Sequence, residues 1–117
     1  MKNRKFGVLP VSVFPSKASL GSAAAEYFAS AVEAELENKE EIAVILATCN
    51  SQLDFVDAVV KRDDINWSRI TVLHMDEYLG MHDSHSASFR LWMKEKLISK
   101  VHPKEFHGIN GEHQPVE

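Results

Sequence analysis

The sequence is poor in the features that mark several whole classes of protein. It has one cysteine, Cys49, so no internal disulfide can form and a reducing compartment is expected. It has no cluster of lysine and arginine; 13 basic residues stand against 17 acidic ones, a net charge of −4. Phosphate backbones are gripped by grouped cations, so nucleic acid is not expected as the main partner. No apolar stretch approaches the ~20 residues of a spanning helix, so no membrane partner is expected either. The basic start, Met1 to Lys5, resembles the beginning of a secretion signal. Pro10, Ser12 and Pro15 interrupt the apolar run after it, and no small-residue cleavage site follows. The expectation is a soluble, cytoplasmic chain. It lacks repeats, low-complexity tracts and linkers, and its 117 residues are room for one domain.

What is present is an alternation of strand-like and helix-like segments. Phe6 to Phe14 reads as a first strand, at an edge or irregular because proline withholds a ladder donor. Leu20, Ala24, Phe28, Ala31, Val32 and Leu36 recur at helical spacing, which predicts a helix over 17–38 capped by Ser16 or Ser19. Ile42 to Ala47 is a continuous apolar run and reads as a strand buried on both faces. A second helix is expected over 51–61, opened by a capping-box pair of Ser51 and Asp54. Ile70 to Met75 is the next strand. Phe89, Trp92, Met93 and Leu97 mark a helix over 86–99, capped by Ser84 or Ser86. Phe106 to Ile109 is a last short strand before an Asn110-Gly111 turn. The order β-α-β-α-β-α-β predicts an α/β protein: a three-layer α/β/α, Rossmann-like parallel sheet with helices on its faces.

Ligands of open α/β sheets bind outside the carboxyl ends of the strands. Two segments stand there. Thr48-Cys49-Asn50-Ser51-Gln52 leads into a helix, where backbone N–H groups can face an anion, although an ordinary turn reads the same way. Asp76 and Glu77 follow a buried strand directly. They are either a solvated acidic turn or a carboxylate base held beside apolar walls. His74, His82 and His85 crowd this region, but the spacing of His82-Asp83-Ser84-His85 supplies no metal-ligand set, and solvated loop histidines are expected. Cys49 has no general base identifiable beside it and reads as a free, partly buried thiol.

Several segments occur in a recognisable order. They are Leu46-Ala47-Thr48, Ser51, Asn66 to Val72, Met75-Asp76-Glu77-Tyr78-Leu79-Gly80, His85 to Phe89, and Gly108-Ile109-Asn110-Gly111. Over roughly residues 42–111 the chain resembles the glucosamine-6-phosphate deaminase (isomerase) family. The most specific element is Asp-Glu-Tyr-x-Gly followed by His-x-x-Ser-aromatic. The sister 6-phosphogluconolactonases usually carry Asp-Glu-Arg, so Tyr78 favours the deaminase branch.

The resemblance implies interconversion of glucosamine 6-phosphate with fructose 6-phosphate and ammonia, with a sugar phosphate as partner and no cofactor. It implies that Asp76 shuttles a proton between C1 and C2 of the opened sugar. Glu77 and Tyr78 become supporting residues, and Thr48, Cys49, Asn50 and Ser51 the phosphate loop. That loop usually reads Thr-Gly-Gly/Ser-Ser/Thr-Pro; here Cys49, Asn50 and Gln52 depart from it. Family members are about twice this length. Residues 1–117 therefore read as the N-terminal part of a single domain, inactive by itself and inclined to form a homo-oligomer. The family's ring-opening histidine and basic phosphate clamps belong to the remainder. Two other readings stand beside this one: a non-catalytic sugar-phosphate sensor, suggested by the lost loop glycine, and a 6-phosphogluconolactonase-like hydrolase.

Overall fold

In the computed structural model, which describes residues 1–113, the parallel sheet begins only at residue 42. The expected first strand is instead a hairpin: β1 (Lys2–Phe6) and β2 (Leu9–Val13) pair antiparallel, separate from the main sheet. Gly7 explains the reversal. Its φ of +62° suits the first position of a two-residue hairpin turn, and the tip residue Val8 is 94% exposed.

α1 (Lys17–Leu36) starts where its periodicity predicts. Ser16 accepts from the Ser19 N–H, and the Ser19 hydroxyl accepts from the Ser16 N–H, a reciprocal cap. The far end is closed from a distance. The Arg69 guanidinium donates to the carbonyls of Leu36, Lys39 and Glu40, groups that the helix itself cannot satisfy. Gly21 lets α1 meet α2 (Leu53–Val60): a Cβ there would lie 2.5 Å from the Asp54 carbonyl carbon. α2 begins after a 3-10 turn, Asn50–Gln52, and no side chain caps it, so the Ser51–Asp54 capping box does not form.

β3 (Ile42–Leu46), β4 (Ile70–His74) and β5 (Glu105–His107) form a parallel sheet in that order. The third helical segment, α3 (Phe89–Met93), runs on through a π-helical stretch, Lys94–Ile98, into α4 (Ser99–Val101). His102 ends it in the left-handed region, with φ +51°. Its cap is Ser88, which accepts from the Leu91 N–H; neither Ser84 nor Ser86 does this.

Strand order that advances in one direction puts right-handed crossovers on one side of a sheet. Accordingly, Ile70 and Val72 share a single core with Ala25, Ala29 and Val32 of α1, Val56 and Val59 of α2, and Met93 and Leu97 beyond them. Phe28 closes that core, stacked on Trp67 at 6.0 Å and edge-on to Phe55 at 5.8 Å. The opposite face, Ala43, Ile45, Thr71 and Leu73, takes no part in it, and Ile45 is 66% exposed. β3 is thus covered on one face, not both. Of the three layers expected, the described residues supply the sheet and one helical layer. The accessible surface is 7972 Å², against about 6,400 Å² for a compact chain of this mass.

Candidate active site

Pairing of Leu46 with His74 brings the carboxyl ends of β3 and β4 level. One further bond, Met75 N–H to the Leu46 carbonyl at 3.2 Å, sets the Thr48 loop beside the Asp76 turn. β5 delivers a third segment, Gly108 to Gly111, to the same edge. The Gly80 N–H donates to the Gly111 carbonyl at 2.7 Å. A Cβ on Gly111 would stand 2.3 Å from the Tyr78 carbonyl oxygen, so that contact requires glycine.

Glu77 organises the turn. Its Oε1 accepts from the N–H groups of Tyr78 and Phe89, both at 3.0 Å. Its Oε2 accepts from the Ser88 hydroxyl at 2.6 Å and the Arg90 N–H at 3.0 Å. A carboxylate here satisfies amides at the start of α3 that have no partner within the helix. Burial pushes the Glu77 carboxyl up; the Ser88 hydroxyl and the three amides outweigh it and hold its pKa below the usual range. Tyr78 packs its ring on Phe89 at 4.9 Å.

Asp76 is the contrast. It is exposed, and its side chain makes no hydrogen bond among the described residues. Adjacent carboxylates therefore divide the work: Glu77 is committed to the protein, and Asp76 is available to a ligand.

In the first loop Thr48 is buried, while Cys49, Asn50 and Ser51 are exposed. Cys49 is exposed rather than partly buried, and it adopts φ +79° and ψ −173°. That conformation is almost restricted to glycine. The loop has kept the backbone of a glycine without the residue. A cavity of about 620 Å³ adjoins it, lined by Lys17, Leu20, Asn50, Ser51 and Phe55 among others.

The histidines separate. His82 and His85 bond locally in the exposed loop, to the Ser84 hydroxyl and the Ala87 N–H. Among the described residues no group of three His, Cys, Asp or Glu gathers as a metal set. His74 closes β4, within the strand expected over Ile70 to Met75. It is 4% exposed, and its Nε2 accepts from the Ile109 N–H at 2.8 Å. A reading by residue type missed it; its place at the inward position of an alternating strand was the available signal.

Three loops thus meet at the ends of parallel strands, one with a carboxylate free among the described residues and one with a glycine-like backbone. Residues 15–117 match the family described as glucosamine-6-phosphate isomerases/6-phosphogluconolactonase. The chain belongs to that family. Among relatives, the glucosamine-6-phosphate deaminase of Shewanella woodyi is 30% identical over 80 residues, 66% of this chain and 30% of that protein. The glucosamine-6-phosphate deaminase of an Arthrobacter species is 28% identical over 108 residues, 88% of this chain and 40% of that one. Among solved structures, a monomeric glucosamine-6-phosphate deaminase superposes with a TM-score of 0.72 at 17% identity. It is matched over 85% of this chain and 42% of its own. A 6-phosphogluconolactonase from Shewanella baltica gives 0.77, also at 17%, over 86% and 42%. The fold is the family's Rossmann-like α/β fold, and the chain spans under half the length of these relatives. No helix among the described residues is long and apolar enough to cross a membrane.

Proposed function

We propose that this chain is part of a glucosamine-6-phosphate deaminase (isomerase), with Asp76 as the proton-transfer base and Thr48 to Ser51 as the phosphate loop. The observation that carries the reading is the Asp76 carboxylate, exposed and without a partner among the described residues, beside that loop at the strand ends. Aldose–ketose exchange through an enolamine needs one carboxylate to take a proton from one carbon and return it to its neighbour. A carboxylate that meets no side-chain or backbone donor among the described residues, as Asp76 does, is open to such a substrate. Glu77 holds the turn, and Tyr78 supports it through Phe89. Phosphate would be met by the Thr48 and Ser51 hydroxyls and by loop N–H groups.

The test uses the longest natural reading frame that contains these residues. Ammonia release from glucosamine 6-phosphate is expected, and Asp76→Asn should lower it by about 10²- to 10⁴-fold, the usual worth of a general base. A rate within about threefold of wild type would sink the assignment. The matched family's description, which includes 6-phosphogluconolactonase, supports a second reading, hydrolysis of a sugar-phosphate lactone. Turnover of 6-phosphogluconolactone without ammonia release would select it. For the 117 residues alone, we expect no turnover and self-association through the open edges, β3 and β5. Sedimentation as a clean monomer would contradict the latter.

A further inference from the structure

His74 is a buried titratable group that the proposed chemistry does not use. Its Nε2 accepts the Ile109 N–H, so that nitrogen is bare and the ring proton sits on Nδ1. Nδ1 is itself buried, with no hydrogen bond of regular geometry among the described residues, although the Asp76 backbone lies near enough to favour its proton. An N–H buried against so poor a contact gains little, and an apolar side chain of this size would avoid that cost. The gain from histidine therefore lies in the Nε2 bond. That bond crosses from the last residue of β4 to the segment after β5. The same segment ends at Gly111, whose carbonyl holds Gly80 and whose missing Cβ admits the Tyr78 carbonyl. Phe106 fixes the ring orientation from β5, with centroids 5.8 Å apart.

We propose that His74, as its Nδ1–H tautomer, is a positioning residue that ties the Gly108–Gly111 segment to β4 and so holds the Asp76 turn in place for a sugar phosphate. The ligand in this statement rests on the deaminase reading; the tie does not. Nitrogen-15 imidazole spectra of the 117-residue chain should show a bare Nε2 and a protonated Nδ1. The opposite tautomer would overturn the proposal. His74→Phe fills the space without an acceptor. It should speed exchange of the Ile109 amide about tenfold and weaken glucosamine 6-phosphate binding by the longer protein about tenfold, the net worth of one buried hydrogen bond. His74→Gln, which restores an acceptor, should bring both within about threefold of wild type. Unchanged exchange in a folded His74→Phe overturns the tie. If that variant fails to fold, His74→Gln and the tautomer decide, and a Gln variant without Ile109 protection counts against it. If the wild-type protein ignores glucosamine 6-phosphate, the functional reading fails, and the Ile109 amide still judges the tie.

Discussion

The two strand-end loops of the site are built in opposite ways. The turn after β4 is cross-braced: Glu77 accepts four hydrogen bonds, His74 holds Ile109, and Gly80 bonds to Gly111. The loop after β3 has almost no such support. Its Cys49 carries a glycine conformation, and no side chain caps the helix behind it. A base must be held to a fraction of an ångström, whereas an anion is held by several N–H groups that adjust together. The lesson is that rigidity has been placed at the proposed proton-transfer residue and not at the proposed phosphate contact.

Breaking the braced side should have the largest effect on stability. Glu77→Ala removes four bonds to a carboxylate and strands amides at the start of α3, and should cost about 2–3 kcal/mol. Urea unfolding measures it; a loss below about 0.5 kcal/mol, the size of an ordinary surface change, would show that the brace is decorative. Gly111→Ala drives a methyl into the Tyr78 carbonyl. It should cost about 1–3 kcal/mol, read by the same titration, with an unchanged midpoint as the contrary result. The strained side should respond with the other sign. Cys49→Gly relieves about 1–3 kcal/mol of strain and gives back under 1 kcal/mol through the freer unfolded chain. A net gain of about 1 kcal/mol is expected, and a loss on calorimetric melting would refute the strain.

Acid should separate the two loops as well, by the smallest margin. Glu77 titrates below the usual carboxyl range, its burial being outweighed by the Ser88 hydroxyl and backbone amides. The unfolded chain therefore takes up that proton first. Stability present above about pH 4.3 is lost as pH falls through the folded value. Burial likewise pushes the His74 imidazole down, against the Glu77 carboxylate and the Asp76 backbone and side chain, with Arg90 adding to the fall. As pH drops below about 6.5 the unfolded chain gains this proton too, and stability declines until the folded value is passed. Both contributions have the same sign and both belong to the β4 side. Residues Thr48 to Gln52 contain no carboxylate or imidazole. Unfolding midpoints should fall from pH 7 to pH 5 and further to pH 4. His74→Gln should remove the first step, and an intact first step in that variant would assign it elsewhere.

Periodicity located α1 and the helix that starts at Phe89, and short apolar runs located β3 and β4, because each buries a face through neighbours along the chain. The Asp76–Gly80 turn was legible as a motif. What it does internally was not: Glu77 meets residues 88–90, and nothing local distinguishes it from Asp76. His74 was missed for the same reason, its partner being 35 positions away. The hairpin escaped because its first strand, Lys2–Phe6, is polar and exposed throughout, and its turn residue Gly7 falls inside the expected strand. Cys49 was read as a departure from glycine, but its backbone angle belongs to the folded loop and has no sequence signature.

The one-sided sheet also has a consequence in time. β3, α2, β4, the helix from Phe89 and β5 meet in the order in which they are joined, so each strand pairing, Ile42 with Ile70 and Thr71 with Glu105, closes one crossover. Parallel pairing across such crossovers is slower than closing a local hairpin, but none of it waits for the uncovered face. The helix-covered side can thus dry while Ala43, Ile45, Thr71 and Leu73 are still wet. Those small and branched side chains leave a shallow, largely apolar surface on the uncovered face.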